Sequence, residues 1–161
     1  MKVYLVQHGE AKAEAEDPRR PVTLKGELEV RRMARVTKTL GVRPQRIYHS
    51  GKLRAKQTAE IIGEILEMAA SSVEAAQGLN PNDEISPWAE RIQEETKDLM
   101  LVGHLPFLEK LASHMLCENE SARLVLFCPA AILCLDQKEN RGWAVRWILT
   151  PEMFEVSRLS R

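Results

Sequence analysis

Short apolar runs alternate with longer amphipathic stretches along most of the chain, which is the pattern of alternating strands and helices. The early apolar runs predict strands over residues 2–7, 46–49, 72–76 and 98–102. The amphipathic stretches predict helices over residues 24–40, 53–68, 88–95 and 105–115. Three closing strands are predicted over residues 122–127, 130–135 and 143–149, with turns between them. This order predicts an α/β fold with a mixed sheet flanked by helices.

The first predicted helix has residues suited to both of its ends. Thr23 is a suitable N-cap, and Gly41 is a suitable residue to end the helix. Between them, apolar residues recur at near-helical spacing, which predicts the helix over residues 24–40. These apolar residues are Leu24, Leu28, Val36 and Leu40.

Length, charge and cysteine content narrow the class of protein. The 161 residues predict a single domain over 1–161, with a core of about residues 1–150 and a loosely attached tail over 151–161. The net charge of zero argues against nucleic acid and anionic membranes as partners. No segment at the N-terminus has the length and hydrophobicity of a secretion signal, and the odd number of cysteines, three, argues against a disulfide framework and suits a reducing cytoplasm. We therefore expect a cytoplasmic protein.

Two histidines follow apolar strands, and both are followed by a helix. His8 ends the first strand and precedes Gly9, and His104 follows Gly103 at the end of the strand over 98–102. Because parallel strands end at the same edge of a sheet, the two imidazoles can converge there. A strand end with an incidental histidine is the alternative for each of them alone.

Arginines accompany these histidines. Arg54 lies in the first turn of the helix after the second strand, where its charge adds to the free N–H groups of the helix start, and this combination suits a phosphate. Arg19 and Arg20 lie in the loop after the first strand. Two histidines with arginines indicate phosphoryl chemistry rather than a zinc site, because arginine repels a cation. We expect no metal and no cofactor.

The motifs resemble those of the histidine phosphatase superfamily, the phosphoglycerate-mutase-like group, and within it the short SixA-type phosphohistidine phosphatases. The resemblance covers residues 1–151. Four motifs support it: Val6-Gln7-His8-Gly9-Glu10-Ala11, Arg20-Pro21-Val22-Thr23-Leu24-Lys25-Gly26, Ser50-Gly51-Lys52-Leu53-Arg54-Ala55-Lys56-Gln57-Thr58-Ala59 and Leu101-Val102-Gly103-His104-Leu105-Pro106. The resemblance implies a three-layer α/β/α sandwich with a mixed, mostly parallel central sheet.

The same resemblance implies roles for the site residues. His8 is the expected nucleophile, which forms a phosphohistidine intermediate that water then hydrolyses. Arg54 and His104 are expected to stabilise the phosphoryl oxygens in the transition state. Ser50 can bond either the phosphate or the neighbouring backbone. The expected phosphate-binding residues are Gln7, Gly9, Arg20, Ser50, Arg54 and His104.

One position departs from the family pattern. The family motif begins Arg-His-Gly, whereas this chain has Gln7-His8-Gly9. An amide still donates two N–H bonds but brings no charge, so its effect is a loss of about one to two powers of ten in rate. Two functions follow: a slow phosphohistidine phosphatase, or a low-activity or inactive homologue that binds phosphate or phosphoproteins.

The expected substrate follows from the leaving group. Larger members of the superfamily carry an acid that protonates a departing alcohol, and here no carboxylate precedes Asp83 in the matching region. Asp83 and Glu84 are candidate substitutes for that acid, although the favoured interpretation is that they are solvated loop acids. Imidazole leaves more easily than an alkoxide, so the missing acid favours a phosphorylated protein with a phosphohistidine over a small phosphorylated substrate such as a sugar phosphate.

Overall fold

The computed structural model describes residues 1–154, and within them a six-stranded sheet forms the middle of the molecule. Four strands run parallel in the order β3-β2-β4-β1, and β5 and β6 follow as an antiparallel hairpin beside β1. The strands are β1 Lys2–Gln7, β2 Arg46–His49, β3 Val73–Ala75, β4 Leu99–Gly103, β5 Ile132–Gln137 and β6 Trp143–Leu149. The predicted mixed, mostly parallel sheet is confirmed.

Helices cover both faces of this sheet. They are α1 Leu24–Thr39, α2 Leu53–Ile65, α3 Ser86–Glu94 and α4 Phe107–Cys117. Alternate residues of β1 enter opposite layers: Tyr4 and Val6 pack with α1 and α2, and Val3 and Leu5 pack with α3 and α4. Two buried clusters therefore share one sheet, and the three-layer α/β/α sandwich is confirmed. Within residues 1–154, no helix is both long and apolar enough to cross a membrane.

α1 is the predicted helix, but most of the apolar residues whose spacing predicted it are exposed. Leu24, Leu28 and Leu40 face solvent, and the helix buries Gly26, Val30, Met33, Ala34 and Thr37. The reason is close packing at the start of the helix. A Cβ atom at Gly26 would lie 2.3 Å from the carbonyl oxygen of Glu10, so only glycine allows the helix to approach the loop after β1 this closely. This contact fixes the rotation of the helix.

The predicted strand over residues 122–127 is wrong. This segment is extended, with Val125 and Phe127 buried and Leu126 exposed, but it pairs with no strand of the described residues. Arg123 has a left-handed backbone at φ 46°, and the amide of Leu124 donates to the Ser113 hydroxyl of α4 at 3.0 Å. The alternation of apolar and polar residues in this segment therefore reflects burial of one side against α4 and not pairing with another strand.

The closing hairpin is otherwise close to the prediction. β6 has the predicted bounds, whereas β5 begins two residues later than predicted because Ala130 has a left-handed backbone at φ 62°. In the predicted tail over 151–161, Pro151–Phe154 forms a turn of 3₁₀ helix in which Pro151 is buried. The rest of that predicted tail lies outside the described residues, and the single-domain prediction for residues 1–161 stays a prediction.

Candidate active site

His8 lies immediately after β1, and two hydrogen bonds define the protonation of its ring. Its Nδ1 lies 2.8 Å from the carbonyl oxygen of Gly9, which can only accept, so Nδ1 carries the proton. The Nε–H of Arg54 donates to His8 Nε2 at 3.2 Å, so Nε2 holds a lone pair. His8 is therefore the neutral tautomer with an unprotonated Nε2.

Thr58 of α2 joins the two segments that place His8 and Arg54. Its hydroxyl donates to the Arg54 carbonyl oxygen at 2.7 Å and accepts the backbone N–H of Gly9 at 2.9 Å. Thr58 is fully buried. In the sequence, Thr58 stood out only as part of the motif over residues 50–59. The one signal was a hydroxyl residue four positions after an arginine, a spacing at which threonine bonds back to the helix carbonyl.

His104 follows β4, the parallel neighbour of β1, and its ring lies beside that of His8. The two ring centroids are 4.9 Å apart, and His104 is 2% exposed. Its Nε2 lies 2.6 Å from the Ser50 hydroxyl, and its buried Nδ1 has no hydrogen-bond partner among the described residues. The predicted convergence of the two strand-end histidines is present in the structure.

Gln7 is the last residue of β1 and pairs in register with Gly103 of β4. Its side-chain oxygen Oε1 is buried and has no partner within residues 1–154. A phosphoryl oxygen is itself an acceptor, so the amide must present Nε2 to a bound phosphate. The amide that replaces the motif arginine therefore lines the site and can offer an anion only neutral N–H donors.

The two loop arginines differ in their surroundings. Arg20 is half-buried, has a left-handed backbone at φ 49°, and donates from Nε to the Lys12 carbonyl oxygen at 3.1 Å. Its positive charge contributes to lowering the pKa of His8, His104 and Arg54. Arg19 is 77% exposed at its side chain and is paired with Asp17 at 2.9 Å. Only Arg20 borders the candidate site.

These groups meet in a pocket of about 420 Å³ at the C-terminal ends of the parallel strands. It is lined by Gln7, His8, Glu10, Ala11, Arg20, Arg54, Pro81, His104, Leu105 and Pro129. Gly9 and Ser50 are not among the lining residues. Both backbone groups of Gly9 are used within the protein, and a Cβ atom there would lie 2.8 Å from Val30 Cγ2, so Gly9 serves close packing. The predicted contacts of Gly9 and Ser50 with phosphate remain predictions that this geometry does not favour.

The carboxylates near the pocket do not offer a general acid. Glu10 accepts from the Thr23 hydroxyl at 2.9 Å and lies 3.1 Å from Lys25 Nζ, and these bonds hold the pKa of its carboxyl below the usual range. The Asp83 carboxylate accepts the backbone N–H of Asn80 at 2.7 Å, and Glu84 is exposed. Neither residue lines the pocket. In the part of the chain that the structure describes, no group of three His, Cys, Asp or Glu side chains could hold a metal ion.

Burial and positive charge keep both histidines neutral. Burial lowers the pKa of His8 to about 4; the bond to Gly9 opposes this shift, and the charges of Arg54 and Arg20 add to it. Burial lowers the pKa of His104 to about 3, assisted by His8 and Arg54. Burial and Arg20 also lower the pKa of the Arg54 guanidinium, which stays charged because the value in solution is so high. The pocket therefore combines two neutral imidazoles with two cations, an arrangement that suits an anion.

Comparison with known proteins agrees with this fold and this pocket. The sequence profile of the histidine phosphatase superfamily (branch 1) matches residues 3–83. Phosphohistidine phosphatase SixA of Escherichia coli (strain K12) is 30% identical over 156 residues, which cover 94% of each chain. An uncharacterized protein of Picosynechococcus is 38% identical over 120 residues, 70% of this chain and 71% of that protein.

A solved structure of the protein histidine phosphatase SixA complexed with tungstate superposes on this chain with a TM-score of 0.83. It is 27% identical, and the alignment covers 95% of this chain and 99% of that one. The α/β/α sandwich with its strand-end histidines is thus the fold of the phosphoglycerate-mutase-like phosphatases. The chain belongs to the histidine phosphatase superfamily, branch 1.

Proposed function

We propose that this protein is a phosphohistidine phosphatase in which His8 is the nucleophile. The observation that supports this most directly is the ring of His8. Its Nε2 lone pair lies at the pocket beside Arg54, and its Nδ1 proton is held by the Gly9 carbonyl. A neutral imidazole with a defined reactive nitrogen is what nucleophilic attack on phosphorus requires. The likeness to SixA phosphatases, which covers 94–95% of the chain, supports the same reaction.

The first step is a transfer between two imidazoles. His8 Nε2 attacks phosphorus while the P–N bond of the substrate phosphohistidine breaks. The substrate ring, protonated by solvent on its other nitrogen, leaves as neutral imidazole. His8 keeps its Nδ1 proton, so the phosphorylated ring gains the positive charge that the leaving ring loses. The Gly9 carbonyl stabilises that charge through the existing hydrogen bond. The bond formed and the bond broken are of one kind, so the step is close to balanced in free energy.

The second step returns the ring to its starting tautomer. Water adds to phosphorus as the Nε2–P bond breaks, and dihydrogen phosphate leaves. Both protons of the water stay with the phosphate, so the balance needs no further base. His8 is again neutral, with its proton on Nδ1. The carbonyl of Gly9 therefore holds the same proton through the whole cycle.

The other pocket residues act on the phosphoryl oxygens. Arg54 leaves His8 Nε2 when the substrate arrives and donates to the oxygens, because the lone pair must then face phosphorus. Arg20 supplies a second cation, and His104 supplies a neutral donor. Gln7, which lines the pocket, contributes its neutral amide N–H groups to the anion. Charge that builds up in the transition state is thus balanced by two arginines.

The absence of a poised acid at the pocket supports a phosphorylated protein as the substrate. Among the described residues that line it, Glu10 is the only carboxylate, and its two partners keep it ionised. A sugar alcohol would need a proton on departure, whereas a protonated imidazole would not. We propose a phosphohistidine borne by a protein, and a cytoplasmic location, in keeping with the thiols of this chain.

The test is turnover of a phosphohistidine protein by the wild type, His8→Ala and Gln7→Arg. We expect measurable wild-type turnover, a labelled phosphoenzyme on His8, and neither in His8→Ala. His114→Ala is the matched control, because His114 is partly exposed on α4 and does not line the pocket. We expect it to keep wild-type turnover.

The same experiment evaluates the alternative function. If wild-type turnover equals that of His8→Ala while the wild type still binds a phosphohistidine protein, the chain is a binding homologue. Recovery of turnover in Gln7→Arg would then attribute the loss to the missing arginine. A much higher kcat/KM on a sugar phosphate than on a phosphohistidine protein would contradict the proposed substrate.

A further inference from the structure

The Ser50 hydroxyl makes a short bond to a site histidine, although Ser50 does not line the pocket. Its Oγ lies 2.6 Å from His104 Nε2. Ser50 follows β2, and β2 pairs with β4, which ends just before His104. The bond therefore spans two neighbouring strand ends that the sheet already holds in register. Its geometry does not depend on a mobile side chain reaching across the pocket.

The direction of this bond follows from counting hydrogens. A hydroxyl has one proton to donate, and Ser50 Oγ also accepts the backbone N–H of Lys52 at 3.4 Å. If His104 Nε2–H donated to Oγ, the hydroxyl would accept twice and its own proton would have no acceptor among the described residues. If the hydroxyl donates to Nε2, both of its functions are used. The second arrangement satisfies more groups.

The second arrangement also decides what His104 offers a ligand. With Nε2 accepting from Ser50, the neutral ring must carry its proton on Nδ1, the ring nitrogen that has no partner in the described residues. An Nδ1–H group donates to a phosphoryl oxygen. In the opposite tautomer, Nδ1 would present a lone pair and repel the same oxygen. His104 is neutral near pH 7, since burial holds its pKa far below 6.5, so only the tautomer determines this behaviour.

We propose that Ser50 is a positioning residue that acts through His104: its hydroxyl fixes the ring as the Nδ1–H tautomer, so that His104 donates a hydrogen bond to the transferring phosphoryl group. This proposal rests on the proposed function for its catalytic consequence, but the tautomer itself is a property of the resting protein. It also gives Ser50 a part different from the direct phosphate contact expected from sequence.

The first test reads the tautomer directly, by ¹⁵N NMR of the histidine side chains in the unliganded protein at pH 7. In the wild type we expect His104 Nδ1 to show the shift of a protonated nitrogen and Nε2 that of an acceptor. In Ser50→Ala we expect the two shifts to move toward a mixture. Ser50→Thr keeps the hydroxyl and should restore the wild-type spectrum. His8 is the internal reference, because a backbone carbonyl fixes its proton in every variant.

The second test measures turnover of a phosphohistidine protein. Loss of one neutral donor in a fraction of molecules should lower kcat/KM of Ser50→Ala by about fivefold to tenfold, and Ser50→Thr should recover most of it. Ser121→Ala is the matched control, because Ser121 is exposed in the loop after α4. Circular dichroism and thermal unfolding of each variant establish that it is folded.

Two results would overturn the proposal: a wild-type His104 protonated on Nε2, or a His104 tautomer that is the same in Ser50→Ala and wild type. A failure of the proposed function looks different. There the wild type would not turn over any phosphohistidine protein, while the tautomer of His104 would still change in Ser50→Ala.

Discussion

His8 and His104 occupy equivalent places at the ends of the neighbouring strands β1 and β4, but different kinds of groups hold their rings. The proton of His8 is bonded to the backbone carbonyl of the next residue, and its Nε2 faces Arg54. The ring of His104 is bonded to the side chain of Ser50, which comes from another strand end. In His8, Nε2 is the ring nitrogen that faces Arg54 at the pocket. In His104, Nε2 is bonded to Ser50, and Nδ1 is the nitrogen without a partner among the described residues.

This difference separates what can and cannot be changed by substitution. A backbone carbonyl is present whatever residue stands at that position, so the tautomer of the nucleophile is fixed by the chain itself. A serine can be replaced, so the strength of His104 as a donor can be tuned. His8, the proposed nucleophile, is therefore held by the contact that a side-chain substitution cannot remove.

The largest expected effect comes from exchanging each histidine for glutamine. His8→Gln should abolish the phosphoenzyme and lower kcat/KM by at least about a thousandfold, because no nucleophile remains. His104→Gln should still form a phosphoenzyme but lose about a hundredfold in kcat, the usual effect of removing one transition-state donor. Labelling by a phosphohistidine substrate and steady-state rates measure both. Equal labelling of the two variants would remove the distinction between the two histidines.

The dependence of stability on pH provides the next test. In the unfolded chain both histidines titrate near 6.5, whereas in the fold the pKa of His8 is about 4 and that of His104 about 3. Between pH 6.5 and 4 the unfolded state binds more protons, so the free energy of unfolding should fall as the pH falls. The slope is up to about 1.4 kcal/mol per pH unit for each histidine.

Urea unfolding at pH 7, 6 and 5 measures this slope. Replacing His104 by glutamine should reduce it by the share of one histidine, and the same change at His8 should do likewise. Phosphate should flatten the slope, since an anion between the two rings favours their protonated forms. A slope that is the same in wild type and in His104→Gln would show that His104 titrates normally in the folded protein.

Gln7→Arg restores the family motif beside both rings, and we expect kcat/KM to rise about tenfold. Hydrogen bonds to charged groups are stronger than neutral ones by about 1 kcal/mol or more, and about 1.4 kcal/mol is tenfold in rate. The same change brings a third cation to the pocket, so the unliganded variant should unfold at a lower temperature. Binding of phosphate should raise the unfolding temperature of the variant again, because the anion offsets the added charge. A variant with lower kcat/KM than wild type would mean that the amide is the better group in this pocket.

The last prediction concerns Thr58, which supports the segments of His8 and Arg54 but does not contact His104. Thr58→Val removes the acceptor of the Gly9 amide, and leaving a buried N–H without a partner costs about 1–3 kcal/mol of stability. Thr39→Val is the matched control, because the Thr39 hydroxyl makes the same kind of bond to a helix carbonyl four residues earlier but is exposed. In Thr58→Val, the ¹⁵N chemical shifts of the His8 ring should change, and those of the His104 ring should not. Equal loss of stability in the two valine variants would contradict this assignment.

The sequence was a good guide to the position of each histidine. A run of β-branched and large apolar residues ending at His8, and another ending at Gly103, mark buried parallel strands, and the strands then bring both rings to one edge. Arg54 was found for the same reason, since a helix start after a strand end must lie at that edge. These features depend on neighbours in sequence, so periodicity and motifs reveal them.

The features that the sequence did not reveal depend on neighbours in space. Leu24 and Leu28 have helical spacing, but the contact of Gly26 with the Glu10 carbonyl rotates the helix and exposes them. Val125 and Phe127 alternate as in a strand, but they pack on α4 instead of pairing. The Ser50 hydroxyl bonds His104, 54 residues away, and the Thr58 hydroxyl bonds Gly9, 49 residues away. A local sequence pattern does not predict such long-range bonds.

The position of β1 in the sheet has a consequence for how the protein loses activity. β1 is bonded to β4 on one side and to β5 on the other, and its four central residues are buried. Such a strand exchanges its amide hydrogens only through the rarest openings of a protein, often through global unfolding. His8 is the next residue along, so the reactive nitrogen is anchored to the most persistent part of the fold. Heating or denaturant should therefore inactivate the protein in the same transition that unfolds it.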